Sequence, residues 1–273
     1  MILPRICKKS PSGEMIYYTW FQAMHTRIDV AIVSCEAEAF LNEASQRIYH
    51  RILDIEHTAN CFDENSEISI VNRQAHLGPM TLSDELYHIL SLCMKYNKLT
   101  FGLFDITTDS EGFTRETITH VALTDERKIK FDIPGIRLNL SGFLKGYALE
   151  SIRSLLKECN IENALINMGN SSIMALGRPH STQKWAISHH MQNTEPIQLE
   201  NECLTTSGND TDTRLHIVNP RTGKTIEGRK CTSLVTKSGI EGEVLSTALF
   251  IASDEDEEAI LQRFHVDRIF HLG

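Results

Sequence analysis

The sequence predicts an α+β protein, on three observations. Segments with strand periodicity and segments with helix periodicity are mixed along the chain, without the regular alternation that gives a parallel α/β sheet. No internal repeat, low-complexity tract or linker divides the 273 residues into two halves. The composition, 41% hydrophobic and 23% charged, is that of an ordinary soluble globular protein with a substantial core.

The first hundred residues contain one predicted strand and two predicted helices. Residues 28–34 have strand character. Residues 36–60 have helical periodicity, with one apolar stripe formed by Leu41, Ala44, Ile48, Ile52 and Ile55. Residues 62–72 are polar, and we expect a loop or short turn there. Ser83 followed by two acidic residues is typical of a helix start.

The rest of the chain alternates irregularly between the two structures. The glycine-containing segment 102–108 ends the second helix, and residues 109–135 are polar, with a pair of short strands expected around 128–130. The further predicted elements are a strand at 136–140, a helix at 143–159, a strand at 164–168, strands and turns over 172–237, helices at 241–253 and 256–264, and a last short strand. We assign residues 1–20 to an N-terminal extension and residues 21–273 to one domain.

Charge, cysteines and hydropathy exclude several protein classes. The formal net charge of −9 argues against a nucleic-acid partner. The seven cysteines are scattered and no two have C-x-x-C spacing, so neither a zinc knuckle nor a redox motif is expected. No apolar run is long enough for a membrane span or a signal peptide, which predicts a cytoplasmic protein.

The segment L-N-L-S-G-F-L-K-G-Y-A at 138–148 has the pattern of a phosphate site. A predicted strand ends in a Ser-Gly turn, and the first turn of the next helix carries Lys145 and Gly146. Backbone N–H groups and a lysine at such a place bind phosphate well. The spacing matches neither a Walker loop nor a dinucleotide-binding fingerprint.

A second informative segment runs from residue 203 to 249. It holds T-S-G at 206–208, H-I-V-N-P-R-T-G at 216–223, and Glu243 and Thr247 four residues apart. On a helix these two side chains share one face, near the positive N-terminal end. A carboxylate and a hydroxyl that converge there suit a magnesium ion carrying phosphate oxygens.

Four shorter blocks are weak alone. They are the segment 23–30 with Met24, the polar segment 66–72, G-L-F-D-I-T at 102–107, and the strand with a glycine turn at 164–170. An ordinary structural role is at least as common for each of them. Their joint order along the chain is much more specific.

Taken together, the six blocks resemble the ApbE family of FAD:protein FMN transferases over roughly residues 21–252. The resemblance implies a T-fold-related architecture of mixed sheet layers with packed helices. It implies that FAD is the substrate, that Mg²⁺ binds its pyrophosphate, and that a threonine of a partner redox protein receives FMN while AMP leaves.

Residue roles follow from the resemblance position by position. The implied metal ligands are Glu243, Thr247 and the backbone carbonyl of Gly142, and the implied catalytic residue is His216. The implied flavin nucleotide contacts are Met24, Leu103, Phe104, Asp105, Asn139, Lys145 and Ile217.

The sequence also departs from the family pattern. Glu243 stands where the family has aspartate, and its extra methylene moves the carboxylate by ~1.5 Å, one bond length. Asn139, Asn209 and Asn219 also replace aspartates, Asn170 follows Gly169 in place of a second glycine, and His25 replaces a glycine.

These changes leave two alternatives open beside FMN transfer. One is a non-catalytic relative that binds FAD, and the other is a magnesium-dependent FAD pyrophosphatase that gives FMN and AMP. The sequence leaves the acceptor protein and a homodimer undetermined. Members of the family are often exported lipoproteins, and no lipobox is seen in this sequence.

Overall fold

An eight-stranded antiparallel sheet is the frame of the described chain. The computed structural model describes residues 3–10, 13–180, 182–188, 195–209, 217–228 and 231–272. The strand order in this sheet is β1-β2-β3-β7-β8-β11-β14-β15. Its strands are Arg5–Lys9 (β1), Met15–Ala23 (β2), Thr26–Ser34 (β3), Asn163–Met168 (β7), Ser172–Leu176 (β8), Glu202–Gly208 (β11), Cys231–Thr236 (β14) and Arg268–Leu272 (β15).

Three small sheets complete the strands of these residues. They are formed by Met80–Thr81 (β4), Val121–Thr124 (β5) and Lys128–Phe131 (β6), by Trp185–Ile187 (β9) with Ile197–Leu199 (β10), and by Val218–Asn219 (β12) with Lys224–Thr225 (β13). The helices are Glu38–Ala59 (α1), Glu67–Gln74 (α2), Asp84–Leu99 (α3), Ser141–Glu158 (α4), Gly239–Ile251 (α5) and Asp254–Leu261 (α6). The predicted α+β class is confirmed.

The two faces of the main sheet are covered differently. Inward-facing side chains of β3, such as Ile28, Val30 and Ile32, are fully buried in the larger core, which also contains the buried residues of α1 and α4. On the opposite face the β9–β10 pair packs over a smaller cluster that includes Ile173 and Val235. The helices that carry the predicted site therefore all lie on the face of the larger core.

Most of the predicted elements are confirmed. The strand at 28–34, the long helix with its apolar stripe, and the elements at 143–159, 164–168, 241–253 and 256–264 correspond to β3, α1, α4, β7, α5 and α6. Ser83 caps α3 as expected, because its Oγ accepts a hydrogen bond from the Leu86 N–H at 3.2 Å. The short strands near residue 129 are β5 and β6.

The predicted loop at 62–72 is wrong over its second half, where α2 begins. Ser66 caps this helix by accepting from the Ser69 N–H at 3.2 Å, and Ile68 and Val71 are fully buried. A serine cap followed by apolar residues at i+2 and i+5 is a real helix signal. The polar residues of this segment make its short apolar face difficult to recognise in the sequence.

The predicted strand at 136–140 is also wrong. This segment bonds to side chains and to a loop carbonyl, and not to a neighbouring strand. Asn72 accepts from the Leu138 N–H at 2.8 Å and donates to the Leu138 carbonyl at 3.0 Å. The Ser110 hydroxyl accepts from the Arg137 N–H at 2.9 Å. Backbone groups paired in this way satisfy the same requirement as a sheet ladder.

The segment assigned to an N-terminal extension contributes strands to the main sheet. β1 pairs with β2 from Arg5 opposite Thr19 to Lys9 opposite Met15, and β2 pairs with β3 along its whole length. Tyr17 of β2 is fully buried in the larger core. Residues 15–20 are therefore part of the same packed unit as the strands that follow.

Two adjacent threonines of β11 give a paired test of buried hydrogen bonding. Thr205 Oγ1 is buried and has no partner among the described residues, whereas Thr206 Oγ1 lies 2.8 Å from Ser233 Oγ. We expect Thr205→Val to raise the free energy of unfolding by about 1 kcal/mol and Thr206→Val to lower it by about 1 kcal/mol, since an unsatisfied buried hydroxyl costs stability. Urea denaturation at pH 7 measures both, and equal losses from the two substitutions would contradict the assignment.

Candidate active site

Helices α4 and α5 approach each other more closely than side chains usually allow. A Cβ atom placed on Gly146 would lie 2.4 Å from the Gly239 carbonyl oxygen and 2.8 Å from Glu243 Cγ. Only glycine fits at this point of α4. The contact brings Glu243 of α5 against the first turns of α4.

Glu243 is a buried carboxylate with defined partners. It is 5% exposed, and its Oε1 accepts a hydrogen bond from Ser172 Oγ on β8. Burial raises the pKa of Glu243, while the positive charge of Lys145 and the hydrogen bond from Ser172 act in the opposite direction. Lys145 itself donates to the hydroxyl of Ser171. A buried carboxylate beside a lysine is typical of a functional site.

Thr247 lies one turn further along α5 and faces the start of α4. Its Oγ1 is 3.9 Å from the position that a Cβ of Gly142 would occupy. It is also 3.0 Å from Ser207 Oγ, which in turn lies 2.8 Å from Ser246 Oγ. The three residues predicted to bind metal therefore come from two helix segments that contact each other.

The donor atoms at this place fit a magnesium ion. Carboxylate, hydroxyl and carbonyl oxygens are hard ligands, which Mg²⁺ prefers, and it usually keeps further positions for water and phosphate. Among the described residues no group of three His, Cys, Asp or Glu side chains could hold a metal ion. A cation here would depend on hydroxyl and carbonyl oxygens as well as on Glu243.

The loop at residues 102–107, predicted to contact the nucleotide, is stabilised by its own buried side chains and hydrogen bonds. Leu103 and Phe104 are buried, and the Phe104 ring lies 6.2 Å from the Phe143 ring of α4. Asp105 accepts from the N–H and the hydroxyl of Thr107 at 2.7 and 2.6 Å, and burial raises its pKa. The Phe104 ring is therefore a core side chain, and a ligand at positions 103 and 104 would meet the backbone.

Asn139 joins this loop to the start of α4. Its N–H donates to the Ile106 carbonyl at 2.8 Å, and its side-chain oxygen accepts from the Ser141 N–H at 2.9 Å. Its side-chain nitrogen donates to Asp109 Oδ2 at 2.8 Å. An aspartate could not donate this last hydrogen bond, so the amide matches the neighbouring acid.

Met24 lies in the two-residue turn between β2 and β3. Met24 and His25 both have positive φ, 50° and 56°, which a type I′ hairpin turn requires. The Met24 N–H donates to Glu56 of α1 at 3.1 Å. The His25 ring stands edge-on to Phe62 at 5.9 Å, and Phe62 is 58% exposed.

Phe62 is a candidate site residue that the sequence did not reveal. An exposed aromatic ring against His25, the residue after the predicted flavin contact Met24, is suited to stacking on a planar ligand. The only signal in the sequence is a phenylalanine within a polar segment, which is too common to be informative.

A glycine turn connects the Met24 turn to Lys145. Gly169 has φ 66°, and a Cβ there would lie 2.2 Å from Thr26 Oγ1, so glycine is required. The Gly169 N–H donates to the Arg27 carbonyl at 3.0 Å. Two residues later Ser171 binds Lys145. These contacts place the Met24 turn and α4 around one continuous region.

Ile217 belongs to the β12–β13 hairpin, which is tied to the end of β11. The Ile217 carbonyl accepts from the Ile226 N–H at 2.9 Å. The side-chain nitrogen of Asn209 donates to the carbonyls of Ile226 and Gly228 at 2.9 and 3.1 Å. An aspartate at 209 could not make these bonds. The predicted catalytic residue His216 lies outside the described residues.

The tip of this hairpin is fixed to α6. Asn219 accepts from the Arg221 N–H at 2.9 Å, and the Arg221 guanidinium donates to both carboxylate oxygens of Asp256 at 2.5 and 2.7 Å. This pairing lowers the pKa of Asp256 to about 2. Bidentate pairs of this kind hold two elements in one orientation.

The model of the ApbE family matches residues 24–270. The chain belongs to the ApbE family. The membership predicted from the sequence is thereby confirmed, and the matched region includes every described site residue discussed above.

Curated relatives in the ApbE family carry the name FAD:protein FMN transferase. One from Chlamydia muridarum is 24% identical, over 88% of this chain and 86% of the relative. Another, from Vibrio cholerae, is 24% identical over 74% of this chain and 71% of its own. The predicted class of enzyme, a transferase, agrees with these names.

Solved ApbE structures have the same fold. The flavin transferase ApbE from Vibrio cholerae superposes with a TM-score of 0.80 at 18% identity, covering 98% of this chain and 94% of that chain. The ApbE protein from Thermotoga maritima gives 0.76 at 19% identity, with 90% of each chain covered. At such identities the similarity establishes the fold alone.

In the described part of the chain, no helix has the length and apolar character needed to cross a membrane. The cytoplasmic location stays a prediction, and the oligomeric state stays undetermined.

Burial of Glu243 should make stability depend on pH. The folded protein holds the Glu243 proton more tightly than the unfolded chain does, because burial raises the pKa above its ordinary value of 4.5. The cost of ionising the carboxylate therefore appears as pH rises through 4.5 and is complete above the folded pKa. In buffer with a chelator, we expect Glu243→Gln to melt at a higher temperature than the wild type at pH 8, with a gain that shrinks toward pH 4.5. A gain that grows on acidification would contradict this account.

Proposed function

We propose that this ApbE protein transfers FMN from FAD to a threonine hydroxyl of a partner protein, depends on Mg²⁺, and releases AMP. The observation that carries the proposal is the meeting of Glu243, Thr247, Gly142 and Lys145 at the contact of α4 with α5. The names of the curated relatives support the transfer of FMN from FAD to a protein.

Each part of this region has a chemical role in the proposal. Glu243, Thr247 and the carbonyl of Gly142 would hold the cation, which when bound neutralises the diphosphate of FAD and orients it. The Lys145 ammonium and the N-terminal end of α4 would bind phosphate oxygens. Buried surroundings strengthen these interactions, since fewer water molecules screen them.

The reaction itself is a displacement at phosphorus. The threonine oxygen forms a bond to the phosphorus nearest the flavin, and the bond from that phosphorus to the bridging oxygen breaks, so AMP leaves with the bridging oxygen. The threonine loses its proton, and His216 is the group proposed to accept it. FMN is left as a phosphoester on the partner.

The flavin contacts complete the proposal. Met24, Asp105, Asn139, Ile217 and the backbone of Leu103 and Phe104 would bind the nucleotide, with Phe62 added from the structure. The acceptor is proposed to be a redox protein with a threonine in an accessible segment, because the transferred flavin is a redox cofactor.

The reaction is tested with the purified chain, FAD, MgCl₂ and a peptide that carries a single threonine from a candidate flavoprotein partner. We expect AMP release and a fluorescent, FMN-modified peptide, both abolished by a chelator and by Glu243→Ala. The matched peptide with valine in place of threonine is the control. AMP and free FMN without any peptide would indicate a pyrophosphatase, and FAD retained without turnover would indicate a binding protein.

A second prediction concerns His216. If it accepts the threonine proton, His216→Ala should lower kcat by about 100-fold or more, the usual contribution of general base catalysis, while the Kd for FAD changes less than threefold. Stopped-flow transfer and FAD fluorescence titration measure the two quantities separately. Loss of FAD binding with an unchanged kcat at saturation would assign the histidine to binding.

A further inference from the structure

We infer that Ser172 is a positioning residue that holds one carboxylate oxygen of Glu243 and thereby makes the cation site select Mg²⁺ over Ca²⁺. The inference rests on the proposed function, because it concerns the same glutamate. It adds a specificity-determining residue on β8 to the groups supplied by α4 and α5.

The contact that carries the inference is buried and rigidly framed. Ser172 is fully buried and donates its hydroxyl hydrogen to Oε1 of Glu243, which is itself 5% exposed. Ser172 lies at the start of β8, opposite Met168 of β7 and Thr205 of β11. A strand paired on both sides leaves the Ser172 backbone little freedom to follow a moving carboxylate.

The direction of the hydrogen bonds around Ser172 follows from the donors present. The Lys145 ammonium can only donate hydrogen bonds, so the Ser171 hydroxyl must accept the bond between them. The ionised carboxylate of Glu243 can only accept hydrogen bonds, so the Ser172 hydroxyl must donate its hydrogen to Oε1. The Ser171 hydrogen is then free to point at Ser172 Oγ, 3.4 Å away. All three hydrogen bonds between the Lys145 ammonium and the Glu243 carboxylate are thus donated in the same direction, toward the carboxylate.

This arrangement decides how Glu243 can bind a cation. With Oε1 committed to Ser172, Oε2 is the oxygen left for a cation that Thr247 and Gly142 would also bind. One carboxylate oxygen, one hydroxyl and one carbonyl are few protein ligands, which suits Mg²⁺ because it keeps water and phosphate in its other positions. Ca²⁺ takes more ligands and often both oxygens of a carboxylate, which the bond to Ser172 opposes.

The hydrogen bond between Ser172 and Glu243 also explains why this chain has glutamate and not aspartate at position 243. An aspartate at 243 would end about 1.5 Å short of the present carboxylate, one bond length, and would not reach Ser172. Ser172 thus uses the extra methylene by which Glu243 departs from the family pattern. The two residues form a matched pair in this chain.

The experiment measures binding of the metal alone, without FAD or turnover. Free Mn²⁺ is followed by electron paramagnetic resonance as it binds the full chain, and MgCl₂ and CaCl₂ are titrated as competitors. We expect Mg²⁺ to compete better than Ca²⁺ in the wild type. In Ser172→Ala the Mg²⁺-to-Ca²⁺ preference should fall about tenfold, the lower end of effects from residues that orient metal ligands.

Two further variants keep the test decisive. Thr205→Val removes a buried hydroxyl from the residue opposite Ser172, and should leave the preference unchanged. Glu243→Asp cannot reach Ser172, so it should show the lowered preference by itself, and Ser172→Ala should then add nothing. If Ser172→Ala does not fold, Glu243→Asp tests the loss of the same hydrogen bond.

The outcomes separate the inference from the proposed function. If Glu243→Gln abolishes Mn²⁺ binding but Ser172→Ala and Glu243→Asp keep the wild-type preference, the inference is overturned and the metal site stands. If Glu243→Gln binds Mn²⁺ like the wild type, or the wild type binds none, both the inference and the magnesium part of the proposed function are overturned.

Discussion

The close contact of α4 with α5 is the constraint on which the rest of the site depends. A Cβ on Gly146 would overlap the Gly239 carbonyl oxygen, so the two backbones meet without side chains between them. Residue 146 follows Lys145 directly, and Gly239 precedes Glu243 by one helical turn. A larger residue at 146 would push α4 and α5 apart. Because each helix moves as a rigid unit, Glu243 and Thr247 of α5 would both move away from Lys145 of α4.

This constraint also sets the electrostatic character of the site. A carboxylate as deeply buried as Glu243 is costly for a folded protein, because the charged form loses its hydration. The chain offsets part of that cost with the Ser172 hydroxyl and the nearby Lys145 ammonium. Thr247, the second proposed ligand, lies beside the Ser207 hydroxyl, which in turn contacts Ser246. Such a polar cluster beneath a helix with buried apolar residues on either side contributes little to stability by itself. Its presence is better explained by binding than by folding.

The sequence predicted those parts of the molecule that depend on local patterns. The stripe of α1, the serine cap of α3 and the i,i+4 spacing of Glu243 and Thr247 are properties of short segments, and all three are present in the structure. Two of the failures, at residues 136–140 and at Phe104, have one cause. Residues 136–140 have the composition of a strand, but Asn72 and Ser110, which bond to them, are far away in sequence. Phe104 resembles a ligand platform until its contact with Phe143 is known. No local pattern contains such partners.

The amide substitutions show how a departure from a family pattern gains a physical reason once contacts are known. By the family resemblance, Asn139 and Asn209 are negative charges lost near the predicted metal or adenine site. In the structure the Asn139 amide donates to Asp109, so a carboxylate remains within 2.8 Å of that position. The Asn209 amide donates to two carbonyls and fixes the hairpin that begins at Ile217. Aspartate could do neither, because it has no hydrogen to donate. Two of the changes that argued against a metal site are therefore accounted for by hydrogen bonds. The third, Asn219, keeps the oxygen that accepts from Arg221, which aspartate would also supply.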